Sequence, residues 1–252
     1  MSKSWSRAEL LVAFELYTRL SFGQFHSKNP VIIQTATALA RTPSALAMKL
    51  CNIASIDPTF RATGRLGLAG ASSADRLLWE EMNDDWGRFA LEAQQSLRDF
   101  SLAAQDSEEL PFDATGAAPT ERTVESVARI GQVFFRRALL GVYGGRCCVS
   151  GLAIPALLVA SHIVPWRHSP TQRLNPRNGL LLSALHDRAF DGGLMTLDDD
   201  FCVVISPVVK EGADPYFQAA LGSFHGSVIE MPEKFGPSPD FLAYHRENLF
   251  LA

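Results

Sequence analysis

Apolar positions in the first hundred residues recur every three or four places, the spacing of amphipathic helices. "AELLVAFELYTRL" (8–20) carries them on one broad face, and Ser6 with Glu9 just before it forms a capping-box pattern. After the loop-like "SFGQFHSKNP", "VIIQTATALA" (31–40) predicts a second helix and "RTP" a tight break. Thr42 can cap a third helix over "SALAMKLCNIA" (44–54), with Pro43 in its first turn. Two short helices across a short turn have the form of a helix-turn-helix, which places Arg41, Ser44 and Lys49 to meet a DNA backbone or groove. "SSADRLLWEEMNDDWGRFALEAQQSLRDFSLAA" (72–104) continues as acidic helix in two segments. Its Trp79, Trp86 and Phe89 are expected in the core.

Periodicity is lost over "QDSEELPFDATGAAPT" (105–120), which gains Pro, Gly and acid as linkers do. It returns in 121–142, where Val124, Val127, Ile130, Val133 and Phe134 mark a helix that Tyr143-Gly144-Gly145 should end. "RCCVSG" (146–151) and "LLVASHIV" (157–164) then predict two short strands around a turn. "NGLLLSALHDRAF" (178–190) predicts a helix entered through an Asn-Gly turn. "LMTLDDDFCVVISPVV" (194–209) predicts a hairpin turning at Asp198–Asp200, and "PDFLAYHRENLF" (239–250) a closing helix. The expected fold is α+β, with a helical domain over 1–104, a linker over 105–121 and a mixed domain over 122–252.

Composition adds little: 47% hydrophobic and 20% charged residues are ordinary for a chain that buries a core. No apolar run approaches the roughly 20 residues of a membrane span. The opening "MSKSWSRAEL" lacks a signal-peptide core, so a cytoplasmic protein with no membrane partner is expected. Four cysteines without a CxxC pair indicate neither a disulfide framework nor a zinc ribbon.

Charge changes the picture more. The net value of -4 hides a segregation into blocks of +5 (1–70), -9 (71–121), +7 (122–188) and -7 (189–252). The third block holds nine arginines and no lysine, against only Glu125 and Asp187. Guanidinium groups hold phosphate oxygens two at a time, so an arginine-only block suits a phosphate partner.

Inside that block lies "ASHIVPWRHSPTQRLNPRNGLLLSALHDRAFD" (160–191), with His162 at a strand end, Asn178 in the loop and His186 in the helix. Each alone is commonplace: a structural histidine, a turn asparagine, a hydrogen-bonded helix residue. Together, a strand histidine and a helix residue can face one phosphate. The first then serves as general base toward water, and the second binds a divalent cation.

"GGRCCVSG", "SHIVPW", "NPRNGLLL" and "LHDRAFDGGL" together resemble the HNH endonucleases of the ββα-metal (His-Me finger) class. The preceding "RIGQVFFRRALLGVYGGRC" is similar to the lead-in helix of a bacterial restriction-endonuclease branch. The resemblance covers 122–252 and implies a helical N-terminal domain joined to a C-terminal ββα-metal nuclease domain. It implies His162 as general base, Asn178 as the residue positioning that base and its loop, and His186 as a metal ligand. It further implies hydrolysis of double-stranded DNA with one divalent ion, Mg2+ first, or Mn2+ or another transition metal, leaving a 5′-phosphate. Restriction or defence against foreign or modified DNA fits the same resemblance, and a double-strand cutter with one site per chain suggests a homodimer.

One position departs from the family. Many members place Asp or His just before the base as a second ligand, where this chain has Ser161, a weak neutral donor. Asp187 and Asp191 are the nearby acids that could complete the site. Arg167, Arg173, Arg177 and Arg188 flank it and are expected to contact phosphates. Without zinc-binding cysteine pairs, Cys147 and Cys148 are expected as core thiols. Ser161 also supports an alternative, a DNA-binding protein with a degenerate, non-cleaving HNH fold. A third reading gives the N-terminal half a controlling role, its acidic segment shielding the arginine block.

Overall fold

The computed structural model describes residues 4–62, 70–102, 122–169, 171–209 and 214–252. The fold is α+β, mostly helical with two small antiparallel hairpins. The chain divides into two compact units, 1–134 and 135–252, within the long helix Arg122–Val142. The expected linker over 105–121 lies outside the described residues.

The first unit is helical. α1 (Arg7–Arg19) opens on the expected capping box, Glu9 N donating to Ser6 Oγ and Ser6 N to the Glu9 carboxylate at 2.7 Å. Every residue from Glu9 to Thr18 is buried, so α1 is a central helix covered on all sides. α2 (Pro30–Ala38) and α3 (Pro43–Ala54) follow, α3 capped by Thr42 as its sequence predicts. After α4 (Pro58–Ala62), the acidic stretch forms the two expected segments, α5 (Ser73–Asp84) and α6 (Trp86–Asp99). Trp86 and Phe89 are in the core, and Trp79 packs against Phe14 and Tyr17.

Arg41 and Lys49 do not present free charge for DNA. Arg41 is paired with Glu9 at 2.9 Å and lies over the Trp5 ring; Lys49 is buried against Asp75 at 2.9 Å. α2 and α3 keep the outline of a helix-turn-helix, but both cations are held by carboxylates within the unit, because a buried ammonium or guanidinium must be paired.

The second unit opens on the last turns of α7 (Arg122–Val142), which gives way to Gly144 and Gly145, both at positive φ. Residues 146–151 close on themselves as a turn rather than the expected strand: Gly151 N donates to Cys147 O, and Gly151 has φ +71°. Cys147 and Cys148 are fully buried thiols, as expected. β1 (Leu158–His162) pairs antiparallel with β2 (Gly179–Ser183), from Leu158 opposite Ser183 to His162 opposite Gly179. β2 corrects the expected helix start. Leu180, Leu181 and Leu182 are all buried, and a strand covered on both faces has no alternation to read.

α8 (Ala184–Asp191) begins where β2 ends, capped by the Ser183 side chain, so hairpin and helix form a ββα unit. β3 (Met195–Leu197) and β4 (Val203–Ile205) make the predicted second hairpin around 198–200. After α9 (Pro215–Ala220), the closing helix α10 (Pro239–Asn248) lies against β3. Its His245 is stacked on Phe190 of α8 at 3.8 Å.

Candidate active site

His162 is fixed at the end of β1 by three neighbours. Its Nε2 lies 2.8 Å from the carbonyl oxygen of Arg173. A carbonyl only accepts, so Nε2 carries the proton and the neutral ring keeps its lone pair on Nδ1. The Phe135 ring of α7 stacks on the imidazole at 4.1 Å and 9°, and Trp166 stands edge-on at 5.5 Å. Burial holds the imidazole below its ordinary value of 6.5; the bond to the Arg173 carbonyl opposes that shift and the Arg173 charge adds to it.

Room for Phe135 comes from Gly179. A Cβ there would fall 2.6 Å from Phe135 Cζ and from Leu139 Cδ1. Gly179 is extended at φ −141°, so glycine is needed here for close approach and not for a left-handed turn.

Asn178 is fully buried and ties the loop that separates the two strands. Val164 N donates to Asn178 Oδ1 at 2.8 Å, Asn178 Nδ2 donates to Val164 O at 3.1 Å, and Ile163 N donates to Asn178 O at 3.0 Å. The two ends of the 163–178 loop are therefore joined next to the histidine.

α8 presents two kinds of donor. His186 faces the interior: Nδ1 lies 2.7 Å from Ser183 Oγ and 3.6 Å from Cys147 Sγ, and the ring meets Phe224 edge-on. Its Nε2 is buried without a partner. Burial works to raise the Cys147 thiol, but its contacts with His186 and Ser150 outweigh burial and draw it to about 6. Asp187 and Asp191 sit one turn apart on the neighbouring face. Burial raises both carboxyls, and the charge of Asp187 helps bring Asp191 to about 6. Ser161, on the opposite face of β1 from His162, places its buried hydroxyl toward Asp187 without closing a regular hydrogen bond.

Among the described residues no three His, Cys, Asp or Glu side chains gather closely enough to hold a metal, so His186 is not grouped with the two carboxylates. Two carboxyls raised by burial, Asp191 further by the charge of Asp187, and an unpartnered hydroxyl suit a hard ion that keeps most of its water, as Mg2+ does. They do not suit the three or four nitrogen and sulfur ligands of zinc.

The four flanking arginines differ from those of the first unit. Arg167 and Arg188 are exposed, Arg173 lies on Trp166 at 4.8 Å, and Arg177 lies over Phe235 at 5.7 Å. None has a carboxylate in ion-pair range among the described residues. His168 is exposed, with Nδ1 2.7 Å from the Tyr244 hydroxyl.

Residues 147–198, which span the ββα unit and both histidines, match the family described as HNH endonuclease. This segment is an HNH domain. No curated protein matches the chain. The family assignment agrees with the resemblance carried by the sequence motifs, and it points to nuclease chemistry on DNA. No helix among the described residues is long and apolar enough to cross a membrane.

Within the HNH domain, His162 and Asn178 stand together at one end of the first hairpin, Ser161 turns to the other face of β1 toward Asp187, and His186 packs inside against Ser183, Cys147 and Phe224. Sequence reasoning missed Phe135, Trp166 and the Arg173 carbonyl. The motif "SHIVPW" contains the tryptophan but gives no sign that its edge meets the histidine. A main-chain oxygen leaves no signal in a sequence at all.

Proposed function

We propose that the HNH domain is a divalent-metal-dependent endonuclease hydrolysing DNA phosphodiester bonds. The observation that carries this reading is the His162 imidazole, held by a carbonyl on Nε2 and left with a basic Nδ1. Nδ1 takes a proton from water; the resulting hydroxide attacks phosphorus, and the P–O3′ bond breaks. The freed 3′ oxygen takes a proton from solvent, leaving a 5′-phosphate on the other fragment. Asn178 holds the loop so that the base keeps its place.

Asp187 and Asp191, with Ser161 beside them, are the residues we assign to the cation, in place of His186. A bound Mg2+ or Mn2+ supplies charge neutralisation at the phosphate and its leaving oxygen. Arg167, Arg173, Arg177 and Arg188 are assigned to DNA phosphates, because none is held in an ion pair among the described residues, although the charge of Arg188 also acts on Asp187 and Asp191. The helical part of the chain is then left to select substrate or partner through surfaces other than Arg41 and Lys49. A role in restriction of foreign or modified DNA is supported by the motif resemblance.

The second reading, a DNA-binding protein with a non-cleaving HNH fold, is favoured by Ser161 in place of a charged ligand. Supercoiled plasmid incubated with Mg2+, Mn2+ or EDTA decides between them. Cleavage by the full chain in metal, lost in His162→Ala, is the expected result. Identical behaviour of the two proteins in every metal overturns the catalytic reading, and retained binding without cleavage selects the second. Methylated and hydroxymethylated plasmid in the same assay tests the restriction role.

A further inference from the structure

Arg173 reaches His162 by two routes. Its carbonyl accepts the Nε2 proton at 2.8 Å, and its guanidinium lies over Trp166, whose edge meets the same imidazole. Base, indole and arginine thus form a closed circuit in which moving one member displaces the others. The guanidinium has no hydrogen-bond partner among the described residues, and its Nε is buried. Arg7, Arg41 and Arg246 each have a carboxylate. A half-buried cation without an anion is unfavourable unless its partner arrives from outside. A planar guanidinium already laid on an aromatic face loses little freedom when that anion binds.

We propose that Arg173 ties a DNA backbone phosphate to the general base: its guanidinium, held flat by Trp166, pairs with a phosphate oxygen while its carbonyl holds the imidazole in register. Trp166 is a positioning residue in this arrangement, acting through Arg173 and through its edge contact with His162. The inference rests on the nuclease reading above and adds to it a coupling between substrate seating and base alignment. Arg167 and Arg188, exposed and unstacked, would contribute affinity without that coupling.

The test uses the full chain with a labelled DNA duplex in EDTA, followed by cleavage in Mg2+. Duplex binding should change the indole emission of the wild type. Trp166→Phe, which keeps Trp5, Trp79 and Trp86, should bind but lose the change. Arg173→Ala should lose it too, and the log–log salt slope of binding should fall in magnitude by about one phosphate contact. Arg173→Lys should restore the slope and KM but leave kcat at least about tenfold down, since an ammonium is a point charge without the stacked fork. This kcat–KM split also carries the test if Arg173→Ala does not fold. An unchanged salt slope and emission signal in Arg173→Ala, or full kcat in Arg173→Lys, overturns the proposal. If the wild type gives the emission signal but cuts in no metal, the nuclease reading falls and the phosphate coupling stands. If it cuts and the Arg173 variants match it, the reverse holds. Absence of duplex binding by the wild type overturns both.

Discussion

His162 stands opposite Gly179 in the first hairpin, and the side chain that Gly179 lacks is the space filled by the Phe135 ring stacked on that histidine. Gly179→Ala should therefore push Phe135 and Leu139 away. A loss of about 1–3 kcal/mol is expected from overpacking, read by chemical denaturation. DNA cleavage should fall further than that stability loss explains, because the base loses its backing ring.

His162→Ala should reduce cleavage by about 10²–10⁴, the usual range for a general base, and leave duplex binding in place. Burial lowers the imidazole, and the base works only when neutral. Activity should thus persist as pH falls through 6.5 and decline only below it. A pH–rate profile with its acid limb above 6.5 contradicts this.

Asn178→Ala removes the partners of both Val164 N and Val164 O in a fully buried place. Each orphaned group costs about 1–3 kcal/mol, so a clear drop in melting temperature is expected. Asn178→Asp should be no better, because a carboxylate oxygen would then face the Val164 carbonyl. Thermal unfolding of the two variants side by side checks both statements.

Asp187→Asn and Asp191→Asn should each weaken Mn2+ binding, measured by calorimetry in the absence of DNA. His186→Gln should leave that affinity near wild type and instead lower stability, since it disturbs the packing with Ser183, Cys147 and Phe224. Equal loss of Mn2+ affinity in all three variants would return His186 to the ligand set.

His245 gives a stability prediction independent of catalysis. Burial, only partly opposed by its bond to the Phe190 carbonyl, lowers it from 6.5 to about 4. Above 6.5 both folded and unfolded chains hold it neutral, so it imposes no penalty. As pH falls from 6.5 to about 4, the unfolded chain takes up the proton first and the fold loses roughly 3 kcal/mol. His245→Gln should flatten this part of the stability–pH curve in denaturant titrations.

Much of this organisation was legible in the residues. The caps at Ser6 and Thr42, the break at Tyr143-Gly144-Gly145 and the turn at 198–200 are local chemistry and fall where the sequence puts them. The ββα unit was legible as an ordered set of motifs but not as strands. Leu180–Leu182 is buried on both faces and shows no period, and "RCCVSG" is a turn with strand-like composition. Arg41 and Lys49 read as surface cations because their partners, Glu9 and Asp75, are 32 and 26 residues away. The same distance problem hid Phe135 behind His162.

Asn178 knots the two ends of the 163–178 loop beside the histidine, and from within the loop the Arg173 carbonyl and the Trp166 ring reach back to it. Residues 167–169 lie in the chain between Trp166 and Arg173, two residues of the loop that touch the histidine. A change of side chain there alters what the site meets while the cutting group keeps its place, so target preference can be rewritten with the chemistry intact.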